Sequence, residues 1–406
     1  MTVDRFEHPG ALAAPPIDWR AVRRLLVVRP DNLGDVLLAG PALTALRAAA
    51  PAARIDLLVS PAGAAGAALL PEVDATVVAR VSWQRFGSDA GAAGAGAPDA
   101  DLVAEFARRG YDAAVLLTSF SQSPWPGAYA CQQAGIPVRA GLSKEFGGAA
   151  LTHWVPAPDD ALHQVDRANY LLGRLGVPAC GTDLHARVGE ADRAAARHAL
   201  AAAGLDPDAP HAVLLPGASC ASRRYPAARF AEVARRLAGA GLPVAVCGPE
   251  GERDLVTEVA AAGAGVEALV GALDVPGLAA LLAGAAVAVT NNSGGMHLAD
   301  AVGTPVVALF AGTEEPGQYR PRSVPAAVLT VPTPCSPCRQ FSCPFGHECL
   351  DIAPATVADA ALELTAARAG RGPAGRPPTP NGHRGSSATA GGRRRSAGFR
   401  PLPAGP

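Results

Sequence analysis

The chain has 406 residues, close to half of them apolar but only 5% aromatic, and a formal net charge of −1. That length exceeds one ordinary domain and leads to an expectation of two, each able to bury a core of its own. Seven arginines (Arg371, Arg376, Arg384, Arg393, Arg394, Arg395 and Arg400) and no acid follow Gly370, so subtracting their +7 from −1 leaves about −8 on the rest. A mildly acidic body argues against broad phosphate-backbone binding, and no nucleic-acid partner is expected.

The opening residues, MTVDRFEHPG, carry acids and no apolar segment, so they do not read as a secretory signal. No run approaches the roughly 18 apolar residues of a bilayer span. The expectation is a cytoplasmic protein with no transmembrane segment, peripheral at most at the inner membrane face. In that compartment cysteines are mostly reduced. Cys131, Cys180, Cys220 and Cys247 occur singly and read as small core residues.

Short apolar runs alternate with helical stretches, the pattern of parallel sheets covered on both faces. Leu25–Val28 predicts a strand and Gly34–Ala48 a helix; Ile55–Val59 and Thr76–Val78 continue the strands. Gly87–Pro98 has no periodicity and reads as a surface loop. Asp101–Arg109 is a helix, Ala113–Leu117 a strand, and a helix follows Pro124. Val138–Gly141 is a short strand, with a polar loop at Lys144 and Glu145 and a helix over His163–Leu175. Gly176–Glu190 reads as the connection to a second half that repeats the rhythm. There, strands are expected at Ala212–Leu215, Val244–Cys247, near Leu269, at Ala286–Val289 and at Val306–Phe310. Helices are expected at Ala191–Ala203, Ala227–Ala238, Glu252–Ala262, Val275–Ala283 and Gly294–Val302.

The fold class expected is therefore α/β: two Rossmann-like doubly wound lobes facing a central cleft. The boundaries are an N-terminal extension over 1–22, a first lobe over 23–180, a second over 181–369 and a disordered basic tail over 370–406. Ligands in such sheets bind beyond the carboxyl ends of the strands, so the residues after each strand matter most.

Three strand ends carry chemistry. The first is Arg29-Pro30-Asp31-Asn32-Leu33-Gly34-Asp35, where Gly34 permits close backbone approach and Asp31 or Asp35 is placed to cap the helix. The second is Pro216-Gly217-Ala218-Ser219 with Ser222-Arg223-Arg224 behind it. Hydroxyls, free amides and paired guanidinium groups suit a phosphate, though the same residues also make an ordinary solvated loop. The third is Asn292-Ser293-Gly294-Gly295-Met296-His297, a glycine cradle at a helix start with amide N–H groups to hold an anion and His297 on the first turn.

These stretches, RPDNLGDVLLAGPAL, PGASCASRRYPAARF and NNSGGMHLADAVGTPVVALFAGTEEP, resemble glycosyltransferase family 9, the ADP-heptose:lipopolysaccharide heptosyltransferase family. The resemblance spans roughly residues 23–365. It implies the two-lobed GT-B fold, with acceptor in the first lobe and nucleotide sugar, an ADP-sugar by preference, in the second. It also implies inverting transfer of heptose or a related sugar to a cell-envelope glycan or glycolipid.

By the same resemblance the catalytic aspartate falls on Asp35, replacing the capping reading. The phosphate-gripping base falls on Arg224, aided by Arg223 and Ser219. The nucleotide loop falls on Ser293, Gly294, Gly295, Met296 and His297. A ribose-holding acid falls on Glu250 or Glu252. Asn292 stands where the family often has Asp, and an amide hydrogen-bonds without carrying charge. Asn32 and Lys144 are acceptor-side candidates, although Lys144 also reads as an exposed surface lysine.

The leaving diphosphate is neutralised by side chains and backbone in this design. No cofactor is required for catalysis, and any Mg²⁺ is weakly bound. Cys335-x2-Cys338-x4-Cys343-x5-Cys349, with His347 between, is compact enough to wrap one ion; structural zinc, an iron–sulfur cluster, disulfides and free thiols stay open. A sugar-nucleotide epimerase of the same plan and a non-catalytic nucleotide-sugar-binding relative are the rival functions.

Overall fold

Two six-stranded parallel sheets, each wound in the same order, carry the chain. The structure is a computed structural model and describes residues 15–84, 99–145 and 148–369. The expected Gly87–Pro98 loop, the basic tail from Gly370 and the first fourteen residues lie outside the described residues.

In the first lobe the elements run β1 (Arg24–Val28), α1 (Leu33–Leu38), α2 (Gly40–Ala49), β2 (Arg54–Val59), α3 (Ala64–Ala67), β3 (Ala75–Val78), α4 (Asp99–Arg109), β4 (Ala113–Leu116), α5 (Trp125–Gln133), β5 (Val138–Ser143), β6 (His153–Pro156) and α6 (Gln164–Arg174). The second continues with α7 (Glu190–Ala202), β7 (Ala212–Leu215), α8 (Ala227–Gly239), β8 (Val244–Gly248), α9 (Arg253–Ala260), β9 (Val266–Val270), α10 (Val275–Gly284), β10 (Val287–Asn291), α11 (Gly294–Ala301), β11 (Val306–Leu309), α12 (Pro316–Tyr319), β12 (Ala326–Leu329) and α13 (Pro354–Ala369).

The strand orders are β3-β2-β1-β4-β5-β6 and β12-β11-β10-β7-β8-β9. Counted within each lobe both are 3-2-1-4-5-6, the doubly wound order. Its crevice opens where the order reverses, between β1 and β4 in one lobe and between β7 and β10 in the other.

Both faces of each sheet are buried, which is why the strands read as continuous apolar runs. On β1, Leu25 and Val27 face a cluster that reaches across to Val213 and Leu215 of β7. Leu26 and Val28 face a separate cluster under α4 and α5 that includes Phe106 and Cys131. On β7, Ala212 and Leu214 join Phe230 and Val233 beneath α8. Period-2 alternation thus sends one face of each lobe's first strand toward the other lobe.

Four expectations change. The helix over Gly34–Ala48 is two helices, because Pro41 has no N–H to donate back to Leu37. At the break Ala39 bonds only three residues back, to Val36 at 3.1 Å. The edge strands β6 and β12 and the helices α3, α12 and α13 were not anticipated: the strands are four residues long and flanked by proline, which masks alternation. Helix α9 begins at Arg253, not Glu252, which is held in the preceding 3₁₀ turn. Finally, Cys131, Cys220 and Cys247 are buried as expected, but Cys180 is exposed on the connection between the lobes.

Candidate active site

Asp35 occupies the first turn of α1, directly after β1, with its side chain 23% exposed. Neither it nor Asp31 caps the helix. Asn32 is the N-cap residue, exposed and without a side-chain capping bond. The acids instead hold Arg29, whose guanidinium is buried behind them. Its Nη2 donates to Asp35 Oδ1 at 2.9 Å and to Ser119 Oγ at 3.0 Å, and its Nη1 to the Leu117 carbonyl at 3.2 Å. Its Nε faces Asp31 Oδ2 at 3.2 Å. Burial opposes the charge on Arg29, but Asp31 and Asp35 together hold its pKa above the usual value. A cation fixed on three sides in turn fixes the carboxylate it touches.

Helix α1 packs on the start of α11, where the second lobe comes nearest. A Cβ on Gly34 would stand 2.6 Å from Cδ2 of His297, so only glycine allows this approach. His297 is 5% exposed, its ring edge-on to Tyr319, and burial pushes its pKa down to about 3. It is a neutral wedge between the lobes, and its Nδ1 has no hydrogen-bond partner among the described residues. Met296 is fully buried. Ser293 is the N-cap residue of α11, extended and making no side-chain capping bond, so the first-turn amides of Gly294 and Gly295 are not occupied by a cap.

Three more second-lobe segments meet there. Arg223 donates from Nη2 to Glu314 Oε1 at 2.5 Å and from Nε to Thr313 Oγ1 at 3.2 Å. Asn292 is buried at the end of β10; its amide nitrogen donates to Glu314 Oε2 at 3.4 Å while its oxygen accepts from the Ala311 N–H at 3.3 Å. Burial raises the pKa of Glu314, with Arg223 lowering it and the nearby Asp35 charge raising it further. Asp35 and Glu314 therefore sense one another across the cleft.

Arg224 lies half exposed on its own loop, donating to the Ala218 carbonyl at 3.0 Å, with Glu252 at 3.6 Å. Glu252 packs against Gly217, where any Cβ would come within 2.0 Å of its Oε2; burial raises its pKa, and Arg224 opposes the rise. Glu250 is paired with Arg253 at 2.6 Å on the open surface. Of the two acids, only Glu252 shares a neighbourhood with Arg224. Ser219 is exposed at the same loop.

Lys144 is exposed and paired with Asp160 at 2.6 Å, not joined to this cluster. The four clustered cysteines are free thiols lining one cavity of about 270 Å³, with Cys349 buried and Cys335 exposed. Among the described residues no three His, Cys, Asp or Glu groups are placed to hold a metal ion. Their loop braces the donor side: Ser222 N–H donates to the Phe341 carbonyl at 3.2 Å and Cys338 N–H to the Gly312 carbonyl at 2.8 Å. Arg339 lies 4.2 Å over the Phe120 ring of the first lobe.

The profile of glycosyltransferase family 9 (heptosyltransferase) matches residues 101–348, more than half of the chain. The chain belongs to glycosyltransferase family 9. The transferase is 29% identical over 349 residues to lipopolysaccharide heptosyltransferase 1 of Pseudomonas aeruginosa, covering 79% of this chain and 88% of that one. Among solved structures it is similar to a glycosyl transferase family 9 protein from Veillonella parvula, with TM-score 0.70 and 22% identity over 87% and 99% of the two chains. It is also similar to E. coli ADP-heptose LPS heptosyltransferase II, with TM-score 0.66 and 22% identity over 85% and 99%. The two doubly wound lobes are thus the GT-B fold.

Reading the sequence alone missed four participants. Arg29 holds Asp35 and is itself held by Ser119, Glu314 senses the Asp35 charge, and Thr313 holds Arg223 beside Glu314. The signal was available for Glu314, which follows the strand end at Leu309, but an acid in a loop has no spacing to mark it.

Proposed function

We propose that this transferase moves heptose from ADP-heptose to a sugar of a cell-envelope glycan of the lipopolysaccharide type, with inversion, on the cytoplasmic side of the inner membrane. The observation that carries the reading is the carboxylate of Asp35. Arg29 fixes it at the first lobe's switch point, its charge reaches Glu314, the partner of Arg223, and its helix packs on α11, whose start is uncapped.

In the step this arrangement serves, an acceptor hydroxyl oxygen bonds to the anomeric carbon as the bond from that carbon to the phosphate oxygen breaks. The hydroxyl proton passes to Asp35, whose Oδ1 is engaged by Arg29. The departing diphosphate carries its charge toward Arg223, Arg224 and the amides of Gly294 and Gly295. Glu252, 3.6 Å from Arg224, serves the nucleotide side in this reading.

The names of the P. aeruginosa and E. coli relatives support heptose as the sugar and ADP as the carrier. Among the described residues no helix is long and apolar enough to cross a membrane, which is compatible with action at a membrane face. The same reading expects transfer to persist in EDTA.

The test is Asp35→Asn, followed by mass spectrometry of acceptor and nucleotide sugar. The expected result is retained ADP-heptose binding with turnover lowered about 10²–10⁴-fold, the usual contribution of a positioned base. Transfer close to wild type would remove Asp35 from that role. An isomerised nucleotide sugar with no glycosylated acceptor would replace the transferase by an epimerase.

A further inference from the structure

Three guanidinium groups at the site each answer to an acid: Arg29 to Asp31 and Asp35, Arg223 to Glu314, and Arg224 to Glu252. Set against four carboxylates, none of that positive charge is uncommitted. A nucleotide diphosphate adds more negative charge, and more collects on its leaving oxygen as the bond to the sugar breaks.

Arg339, in the loop of the clustered cysteines, is a cation of another kind. It is exposed, and among the described residues its guanidinium makes neither an ion pair nor a hydrogen bond. Both lobes nevertheless fix its place. Its N–H donates to the Thr313 carbonyl at 3.2 Å, and Thr313 Oγ1 accepts from Arg223 Nε at 3.2 Å. Its Cζ lies 4.2 Å from the centre of the Phe120 ring. Phe120 follows Ser119, whose hydroxyl accepts from the Arg29 guanidinium that holds Asp35. Arg339 therefore spans from the Arg223–Glu314 side of the cleft to the Arg29–Asp35 side.

Its φ is 54°, a left-handed backbone that only Arg339 and His347 adopt among the described residues other than glycine. Residues bearing a Cβ are held there by their surroundings, and such outliers gather at ligand sites. A guanidinium resting on a ring face spends none of its five N–H donors on it. Those donors form the planar fork that matches paired phosphate oxygens. The ring meanwhile orders a long side chain in advance, which lowers the cost of binding.

We propose that Arg339 is a further catalytic residue, gripping the donor diphosphate from the edge of the cleft and neutralising its leaving oxygen. As the acceptor oxygen bonds to the anomeric carbon, the electron pair of the breaking bond moves onto the phosphate oxygen. The acceptor proton goes to Asp35, while Arg339 keeps its own protons and only donates hydrogen bonds. Phe120 is a positioning residue that acts through Arg339. The inference rests on the transferase reading and deepens it: the cysteine loop serves the reaction through this cation rather than through its thiols.

The experiment uses the full chain and two readouts. Calorimetry compares ADP with adenosine, which has the same base and ribose but no phosphate. Steady-state transfer from ADP-heptose gives kcat and both KM values. Arg339→Asn removes the charge with a residue that tolerates left-handed backbone, Arg339→Lys keeps the charge, and Phe120→Leu removes the ring.

Arg339→Asn is expected to weaken ADP binding and lower kcat by about tenfold or more, the size of one hydrogen bond to a charged group, with adenosine affinity within about twofold of wild type. Arg339→Lys should recover part of both losses. Phe120→Leu should show a smaller version of the same pattern and add nothing in the Arg339→Asn background. ADP affinity and kcat within twofold of wild type in Arg339→Asn would overturn the proposal. So would an equal loss for ADP and adenosine, a Lys variant no better than Asn, or a change confined to acceptor KM. The expected split between ADP and adenosine, with no transfer to any acceptor, supports the grip by Arg339 and overturns the transferase reading instead.

Discussion

Gly34→Ala tests whether the contact between α1 and α11 sets the distance from Asp35 to the donor. The added Cβ would stand 2.6 Å from His297 Cδ2, whereas carbon atoms in contact settle at about 3.5–4.0 Å. The methyl therefore needs roughly 1 Å of room. His297 has little to yield, because its ring is 5% exposed and lies against Tyr319, and its backbone is in the first turns of α11. The Gly294 Cα, at 3.5 Å, closes the other side. The displacement falls on the spacing between the helices and so between the lobes.

A misplacement of about 1 Å at a reacting centre costs on the order of 10²-fold in rate, and overpacking costs about 1–3 kcal/mol in stability. Steady-state kcat with ADP-heptose and urea unfolding measure both. Gly173→Ala in α6 is the control, since nothing lies within 4 Å of its Cβ position; it should keep kcat and gain up to about 1 kcal/mol. If Gly34→Ala turned over within twofold of wild type, the contact would not be setting the catalytic distance.

Asn292→Asp sets two carboxylates against each other where an amide now donates to Glu314. Donor affinity should fall and stability drop by about 1–3 kcal/mol, with Glu314→Gln in the same chain restoring both; unchanged calorimetry for the single variant would contradict this. Acid should weaken the fold in a predictable direction. Burial holds His297 neutral down to about 3 and His163 to about 4, so their contribution is complete above about 6.5 and is lost as pH falls toward those values. Burial raises Asp31 to about 6, so its contribution is present below about 4 and lost as pH rises through 6, opposing one histidine between those limits. Burial raises Glu252, Asp300 and Glu314 as well, and they oppose the histidines in the same way, so the test is comparative: urea midpoints between about pH 4 and 6.5 should rise less with pH in His297→Gln than in the wild type. Elemental analysis of purified protein tests structural zinc at Cys335, Cys338, Cys343 and Cys349. With no three ligands placed to hold an ion among the described residues, metal-free protein of full stability is the expected result, and about one equivalent per chain, lost in Cys338→Ser, would overturn it.

Elements whose signal is local and whose neighbours do not matter were legible from sequence. The strands β1, β2, β7 and β10 are buried on both faces and stand out as apolar runs, and the amphipathic helices between them show one apolar stripe. The edge strands β6 and β12 pair on one side only and tolerate proline, so their pattern carries little information. At the site, position after a strand was enough to single out the loops that hold Asp35, Arg223, Arg224 and Ser293, while their roles came from the family resemblance. It was not enough to separate Glu250 from Glu252, since two residues apart in a 3₁₀ turn point to different sides. Nor was it enough to see that His297 is a buried wedge rather than an anion donor.

By itself the sequence determined the lobes, their parallel sheets and the strand ends that bear chemistry, because hydrophobic period and helix-start residues act over a few neighbours. Only the tertiary structure decided the pairing of Arg29 with Asp35, of Asn292 with Glu314, and of Gly34 with His297. Each joins segments from different strand ends, or a side chain whose direction depends on burial, and whole-lobe packing sets those distances.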